Sequence, residues 1–202
     1  MQTALTNRFG LSRSHAFAST IPGKLTLGLA ATAIIALAAH VAFPLPFTPV
    51  PFTLQPLAVL GVGLAFGPAG GFLTLLAYLV EGACGLPVFS SAGPGGVAQL
   101  FFGPTSGYLL SYPLVAAITG GLTRLFERRL SFFVSAVTGC AAATVVLFLA
   151  GASWFMALTH LPLRAVWIAA VAPFLPGETI KVLAAAGIYS TLRHHSRNKR
   201  SA

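Results

Sequence analysis

Six apolar stretches fill most of this chain, and together they limit its folding to a lipid bilayer. They cover residues 25–43, 54–67, 69–84, 105–124, 131–150 and 164–192. A helix needs about 20 apolar residues to cross the hydrocarbon core, and fewer where it borders a water-filled cavity. Only 7% of the residues are charged, whereas soluble domains average about a quarter. The sequence therefore predicts an all-α integral membrane protein with six transmembrane helices.

The basic residues lie beside these stretches in a pattern that predicts their orientation. Lysine and arginine accumulate in the cytoplasmic connections of membrane proteins, and the connections 44–53 and 85–104 carry no charged residue. Six spans then place both termini in the cytoplasm and the uncharged connections outside. The three basic groups are Arg8, Arg13 and Lys24, then Arg124, Arg128 and Arg129, and finally Arg193, Arg197, Lys199 and Arg200.

This topology divides the chain into three parts. We expect a cytoplasmic N-terminal tail at 1–24, a six-helix transmembrane domain at 25–192 and a basic cytoplasmic tail at 193–202. The net charge of +9 then reflects topology and not a nucleic-acid surface. The predicted location is the bacterial inner membrane, with a multi-pass arrangement.

The two uncharged outer connections have compositions typical of structured lids. Residues 44–56 hold five prolines, which favour a stiff, extended backbone of the polyproline kind. Residues 85–104 are rich in glycine and aromatic side chains, so the backbone can approach a neighbour closely and offer it flat apolar faces. Simple connectors resting on the membrane surface are the alternative. We expect lids folded over the outer mouth of the bundle.

Two charges in the last apolar stretch are the strongest candidates for a functional site. Pro173, Pro176 and Gly177 interrupt the helix, and a new helical segment is predicted to start near Glu178, with Lys181 on the same face. A charge at membrane depth costs several kcal/mol and usually faces the bundle interior. A purely structural ion pair is one explanation. The other is a ligand site, because transporters build such sites at discontinuous helices.

Glu178 and Lys181 together indicate the chemistry of a ligand that the site would bind. A carboxylate accepts N–H donors and an ammonium donates to a carbonyl oxygen, so together they match a compact polar group such as a cyclic urea. Polar side chains of the outer segments that can join the site are Gln55, Ser90, Ser91 and Gln99, and the aromatic side chains that can wall it include Tyr78, Phe89, Phe52 and Phe101.

Four stretches in this order resemble the BioY family, the biotin-specific substrate-binding S component of energy-coupling factor (ECF) transporters. They are PLPFTPVPFTLQPLAVL (44–60), GACGLPVF (82–89), FGPTSGYLLSYPL (102–114) and FLPGETIK (174–181). The resemblance implies an outward-facing biotin pocket in a six-helix domain. It also implies a transmembrane coupling subunit and two cytoplasmic ATPase subunits as partners. The family's PG-acid-x-x-K motif, which contacts the ureido ring, falls on Glu178 and Lys181, although the family more often has aspartate at the first position.

The resemblance also implies a coupling surface on the first helix. Gly28, Thr32 and Ala36 recur every four residues and form a small-residue face that permits close helix approach. Such a face fits a contact with the coupling subunit, and it fits ordinary packing within the chain equally well.

Other classes of function lack support in the sequence. No G-x-x-x-x-G-K-[ST] motif is present, so ATP hydrolysis would have to come from a partner. No nucleophile stands with a base in a catalytic pattern, and no metal-ligand spacing occurs. We therefore expect no enzyme activity, no cofactor and no metal, with biotin as the transported ligand. A secondary transporter, or an S component for another small vitamin-like solute, is the alternative.

Overall fold

The structure, a computed structural model, describes residues 20–201. These residues contain seven α-helices and one short β-hairpin. A single 3₁₀ turn, Ala172–Phe174, precedes the last helix. The helices are α1 Ile21–His40, α2 Gln55–Ala83, α3 Gly96–Phe101, α4 Ser106–Phe126, α5 Phe132–Thr159, α6 Leu163–Ala170 and α7 Leu175–Ser201, and the strands are β1 Ala42–Leu45 and β2 Thr48–Thr53.

Helix α2 contains two of the six predicted spans. Gly67 has φ of 76° inside it, a conformation that glycine adopts without steric cost. The side-chain amide of Gln55 donates to the hydroxyl oxygen of Tyr78 at 2.8 Å, although 23 positions separate them. A straight helix would place them about 34 Å apart. The chain therefore reverses at Gly67, and residues 55–66 and 68–83 form two antiparallel arms, as the short GPAGG connection predicted.

The described residues include five helical segments long and apolar enough to cross a membrane. One of them is α2, and its reversal at Gly67 accounts for the sixth predicted span. The first arm of α2 has a length of only about 18 Å at 1.5 Å per residue, less than the roughly 30 Å hydrocarbon core. This arm alone is therefore too short to cross the hydrocarbon core. The protein is a multi-pass membrane protein of the predicted helical class.

Close backbone contacts join the first arm of α2 to α4. A Cβ atom on Gly63 would lie 2.6 Å from the carbonyl oxygen of Ala116, and one on Gly120 would lie 2.6 Å from the carbonyl carbon of Gly67. Larger side chains would force the helices apart. Because lipid supplies no hydrophobic drive for helix association, such van der Waals contact between backbones holds membrane helices together.

The first outer connection is a β-hairpin, so the predicted polyproline conformation is wrong. Strands β1 and β2 pair antiparallel, with Phe43 opposite Phe52 and Leu45 opposite Thr48, and the register shifts between Phe43 and Leu45. Pro44 lies at that irregularity. Proline lacks the N–H for a ladder hydrogen bond, but a two-stranded ribbon tolerates it at edges and bulges. The hairpin makes the connection stiff by pairing.

Several helix ends differ from the predicted boundaries. α1 begins at Ile21, so of the predicted tail only residues 1–19 lie outside the described residues. α5 continues to Thr159, nine residues past its predicted end, because residues 151–159 carry no proline and no charge. α7 begins at Leu175, before Glu178, since proline and glycine are tolerated in a first turn. It continues past residue 192 into the basic segment.

Candidate functional site

Glu178 and Lys181 form a buried ion pair at the start of α7. Lys181 Nζ lies 2.5 Å from Glu178 Oε1, and the two residues are 4% and 5% exposed. Glu178 occupies the first turn of the helix, where the positive end of the helix dipole favours a carboxylate. Removing one partner of such a pair would leave an uncompensated buried charge, which costs about 3–5 kcal/mol.

The second carboxylate oxygen of Glu178 is unpaired. Among the described residues, three buried side-chain oxygens have no hydrogen-bond partner: Thr123 Oγ1, Thr144 Oγ1 and Glu178 Oε2. Of these, only the Glu178 oxygen belongs to a charged group. Leaving a buried acceptor without a donor costs about 1–3 kcal/mol, and more for a charged group. This oxygen is therefore available to an N–H donor of a bound molecule.

A small cavity of about 60 Å³ lies beside the pair, between α2, α4, α5 and α7 and next to strand β2. Its lining combines polar and apolar side chains, a pattern typical of small-molecule sites. Those with polar groups are Thr53, Gln55, Ser90, Gln99, Thr105, Tyr108, Tyr112, Glu178 and Lys181, and the apolar ones are Val50, Pro51, Pro56, Leu109, Leu147, Phe148 and Phe174.

The outer connections place three of the predicted polar residues in this lining. Gln55 is the first residue of α2. Gln99, on the short helix α3, donates to the carbonyl oxygen of Ser90 at 3.2 Å and accepts from the backbone N–H of Gly95 at 3.1 Å. Gln99 therefore folds the 85–104 segment onto itself and holds Ser90 at the cavity. The structure thus brings together five predicted residues: Gln55, Ser90, Gln99, Glu178 and Lys181.

The other three predicted residues do not line the cavity. Ser91 is exposed to solvent. Tyr78 lies behind Gln55, and its hydroxyl donates to the carbonyl oxygen of Val88 at 2.6 Å. Phe89 packs edge-on against Tyr78, with 5.6 Å between the ring centroids. Tyr78 and Phe89 are thus positioned to orient Gln55 and anchor the outer connection, and a direct ligand contact by any of the three stays a prediction without geometric support.

Two tyrosines in the cavity wall were not among the site residues that the sequence predicted. Tyr108 and Tyr112 lie one turn apart on α4 and both line the cavity. The hydroxyl of Tyr108 donates to the carbonyl oxygen of Ala170, at the end of α6. The i, i+4 spacing of two tyrosines in SGYLLSY predicts a shared face. It does not say which neighbour that face meets, so the signal was present but ambiguous.

Phe52 of strand β2 does not line the cavity but packs against two residues that do. The Phe52 ring stacks on Phe174, with 6.3 Å between the ring centroids and 5° between the ring planes. The ammonium of Lys181 lies 4.2 Å from the centroid of the Phe52 ring. A Cβ atom on Gly177 would overlap this ring, so glycine is needed for the close approach. Sites for vitamin-sized molecules measure about 300–1,000 Å³, so such a guest enters only when part of this lining moves.

On α1, the predicted coupling face is partly used within the chain. The hydroxyl of Thr32 donates to Glu81 Oε1 at 3.0 Å, and Ala36 packs against the core. A Cβ atom on Gly28 would meet nothing within 4 Å. Internal packing therefore accounts for Thr32 and Ala36, and Gly28 retains an open surface.

Comparisons with known proteins agree with this fold. The model of the BioY family matches residues 12–198. Biotin transporter BioY of Rhizobium etli is 35% identical over 166 residues, covering 78% of this chain and 86% of that protein. Biotin transporter BioY of Rhodobacter capsulatus is 30% identical over 177 residues, covering 84% of this chain and 92% of that protein. The crystal structure of the S component for biotin from an ECF-type ABC transporter matches with a TM-score of 0.76 and 27% identity, covering 85% of this chain and 90% of that one.

Proposed function

Since this chain belongs to the BioY family, we propose that it binds biotin and serves biotin uptake as the S component of an ECF-type transporter. The relatives from Rhizobium etli and Rhodobacter capsulatus are named biotin transporters, and the matching crystal structure is that of an S component for biotin. These similarities support a transport function over the enzyme alternatives. They also support the choice of biotin over another vitamin-like solute.

One observation in the site carries the choice of ligand: Glu178 Oε2 is buried and unpaired beside the cavity. The ureido ring of biotin presents two N–H donors and one carbonyl oxygen. One N–H can pair with the free carboxylate oxygen, and the ammonium of Lys181 can donate to the carbonyl. The apolar wall formed by Leu109, Leu147 and Phe174 suits the remainder of the molecule.

Isothermal titration calorimetry of the purified protein with biotin tests this proposal. We expect saturable binding with one site per chain, and no heat with riboflavin or thiamine at the same concentration. Desthiobiotin, which keeps the cyclic urea and lacks the sulfur ring, should also bind, because the ion pair would recognise the urea. Heat with another vitamin and none with biotin would reassign the ligand.

We further propose that transport depends on a transmembrane coupling subunit and two cytoplasmic ATPase subunits. The chain has no phosphate-binding loop, so it cannot hydrolyse ATP by that route. Its basic segments at 124–129 and 193–200 support a topology with both termini in the cytoplasm of a bacterial cell. Co-purification of ATPase subunits from the native membrane tests the partnership.

Gly28 is the residue of the α1 face on which a partner contact is most directly testable. We expect Gly28→Leu to reduce co-purification of the coupling subunit by about tenfold, because a bulky side chain blocks close helix approach. Biotin binding should stay unchanged, since Gly28 is remote from the cavity lining. Ala30, exposed on the other side of α1, provides the matched control Ala30→Leu. Equal co-purification of both variants and the unmodified protein would remove Gly28 from the interface.

A further inference from the structure

A second cavity lies at the basic end of the bundle, and its lining on α7 begins one turn after Lys181. Its volume is about 390 Å³, and it lies between the first arm of α2, the end of α4 and the second half of α7. Neither Glu178 nor Lys181 lines it. Its walls include Leu57, Gly61 and Ile188, and its polar lining includes Arg124 and Arg193.

Both arginines are held in place by neighbours within the chain. Arg124 Nη2 donates to the carbonyl oxygen of Phe66 at 3.2 Å. Arg193 Nη2 lies 2.9 Å from Glu127 Oε2, and the same carboxylate accepts from the Tyr189 hydroxyl at 2.6 Å. A guanidinium has five N–H donors, so each of these contacts uses a small share of its capacity. Arg124, Arg193 and Glu127 together carry a net charge of +1 at this end of the cavity, which we call its mouth.

The surroundings of this mouth are also basic. Arg128, Arg129 and Arg197 lie on the adjoining turn and on the end of α7. This electrostatic balance favours an anion. Arginine suits a phosphate group in particular, because its planar fork can donate two parallel hydrogen bonds to one anion.

The rest of the cavity is an apolar groove directed towards the membrane interior. Along α7 this apolar part extends from Ala185 to Leu192, about 10 Å at 1.5 Å per residue. A Cβ atom on Gly61 would meet nothing within 4 Å, so the wall that α2 forms leaves open space at this position. A soluble anion would use only the mouth of such a groove. An acyl chain would cover its full length.

We propose that this groove binds one anionic glycerophospholipid of the phosphatidylglycerol class. Its phosphate pairs with Arg124 and Arg193, and one acyl chain lies against Gly61 and Ile188. Basic cavities between transmembrane helices at the cytoplasmic face are suited to anionic headgroups. The site would tie the turn at Gly67 and the end of α7 to the lipid leaflet on the basic side. It does not depend on which solute the outer cavity binds.

Native mass spectrometry of the full-length protein, released from micelles containing equal amounts of phosphatidylglycerol and phosphatidylcholine, tests this site. We expect one retained phosphatidylglycerol, favoured about tenfold over phosphatidylcholine. Arg124→Gln should reduce that preference at least threefold, whereas Arg129→Gln, which changes an exposed residue outside the groove, should reduce it clearly less. Gly61→Leu fills the groove without changing charge and should also reduce retention.

Biotin binding reports whether each variant is folded, since none of these residues lines the outer cavity. Equal retention of the two lipids would overturn the proposal, and so would equal losses for Arg124→Gln and Arg129→Gln. Inorganic phosphate provides the remaining comparison. If phosphate alone at millimolar concentration displaced the lipid completely, the apolar groove would contribute nothing and the proposal would be wrong.

Discussion

Biotin binding is expected to fall at least 100-fold when Glu178 is replaced by glutamine. The substitution removes the charged acceptor whose Oε2 is unpaired in the cavity, and a hydrogen bond to a charged group contributes about 1.5–3 kcal/mol. It also leaves the Lys181 ammonium buried without its counterion. Calorimetry with biotin measures the loss. Glu127→Gln is the matched control, because Glu127 pairs with Arg193 at the other end of the bundle and should leave biotin affinity unchanged.

A double variant separates ligand recognition from structural pairing. Glu178→Met combined with Lys181→Met removes both buried charges, and replacing a buried pair by hydrophobic side chains of similar volume is often neutral for stability or stabilising. We expect this protein to melt within a few degrees of the unmodified protein and to bind no measurable biotin. If it bound biotin normally, the pair would serve only to hold α7, and the proposed ligand site would be wrong.

Gly177→Ala is expected to speed biotin release about tenfold or more. The added methyl group would overlap the Phe52 ring and push strand β2 away from the cavity. The contacts at risk are the stacking of Phe52 on Phe174 and the approach of Lys181 to its face. Aromatic pairs contribute about 0.5–1.5 kcal/mol and cation–π contacts about 0.5–2 kcal/mol. Dissociation of radiolabelled biotin in a chase experiment measures the effect.

Gly187→Ala is the matched control on the same helix, since a Cβ atom there meets nothing within 4 Å. Both substitutions add one methyl group to a glycine of α7, so a difference in biotin release between them reports the Phe52 contact. In a Phe52→Ala background, Gly177→Ala should have little further effect. A large additional change in that background would show that the methyl group acts on α7 itself and not on the hairpin.

Local sequence signals were sufficient for the helical segments and for the ion pair. Long apolar runs, the GPAGG reversal and the alternation of basic and uncharged connections predicted six spans. Glu178 and Lys181 were identified because two charges three residues apart in an apolar segment are costly unless they have a function. These signals depend on composition and on spacing within one element, which can be read without knowing any neighbour.

The site lining was only partly predictable. Gln55, Ser90 and Gln99 line the cavity as the sequence indicated, but Tyr108 and Tyr112 were not among the predicted site residues. Ser91 next to Ser90 is exposed, although nothing local distinguishes the two serines. Which of them faces the cavity depends on the hydrogen bond from Gln99 to the carbonyl oxygen of Ser90. That bond requires α3 to lie folded back against the connection.

Sequence alone determined that this chain is a multi-pass helical membrane protein, which end is basic, and where a buried charge pair interrupts its last apolar stretch. The tertiary structure decided that the proline-rich connection pairs as a β-hairpin, that Phe52 lies over Gly177, and that Tyr78 and Phe89 lie behind Gln55 and not in the cavity. The physical reason is that hydropathy and charge are properties of single segments. A cavity, by contrast, is defined by the distances between segments that lie far apart in the chain.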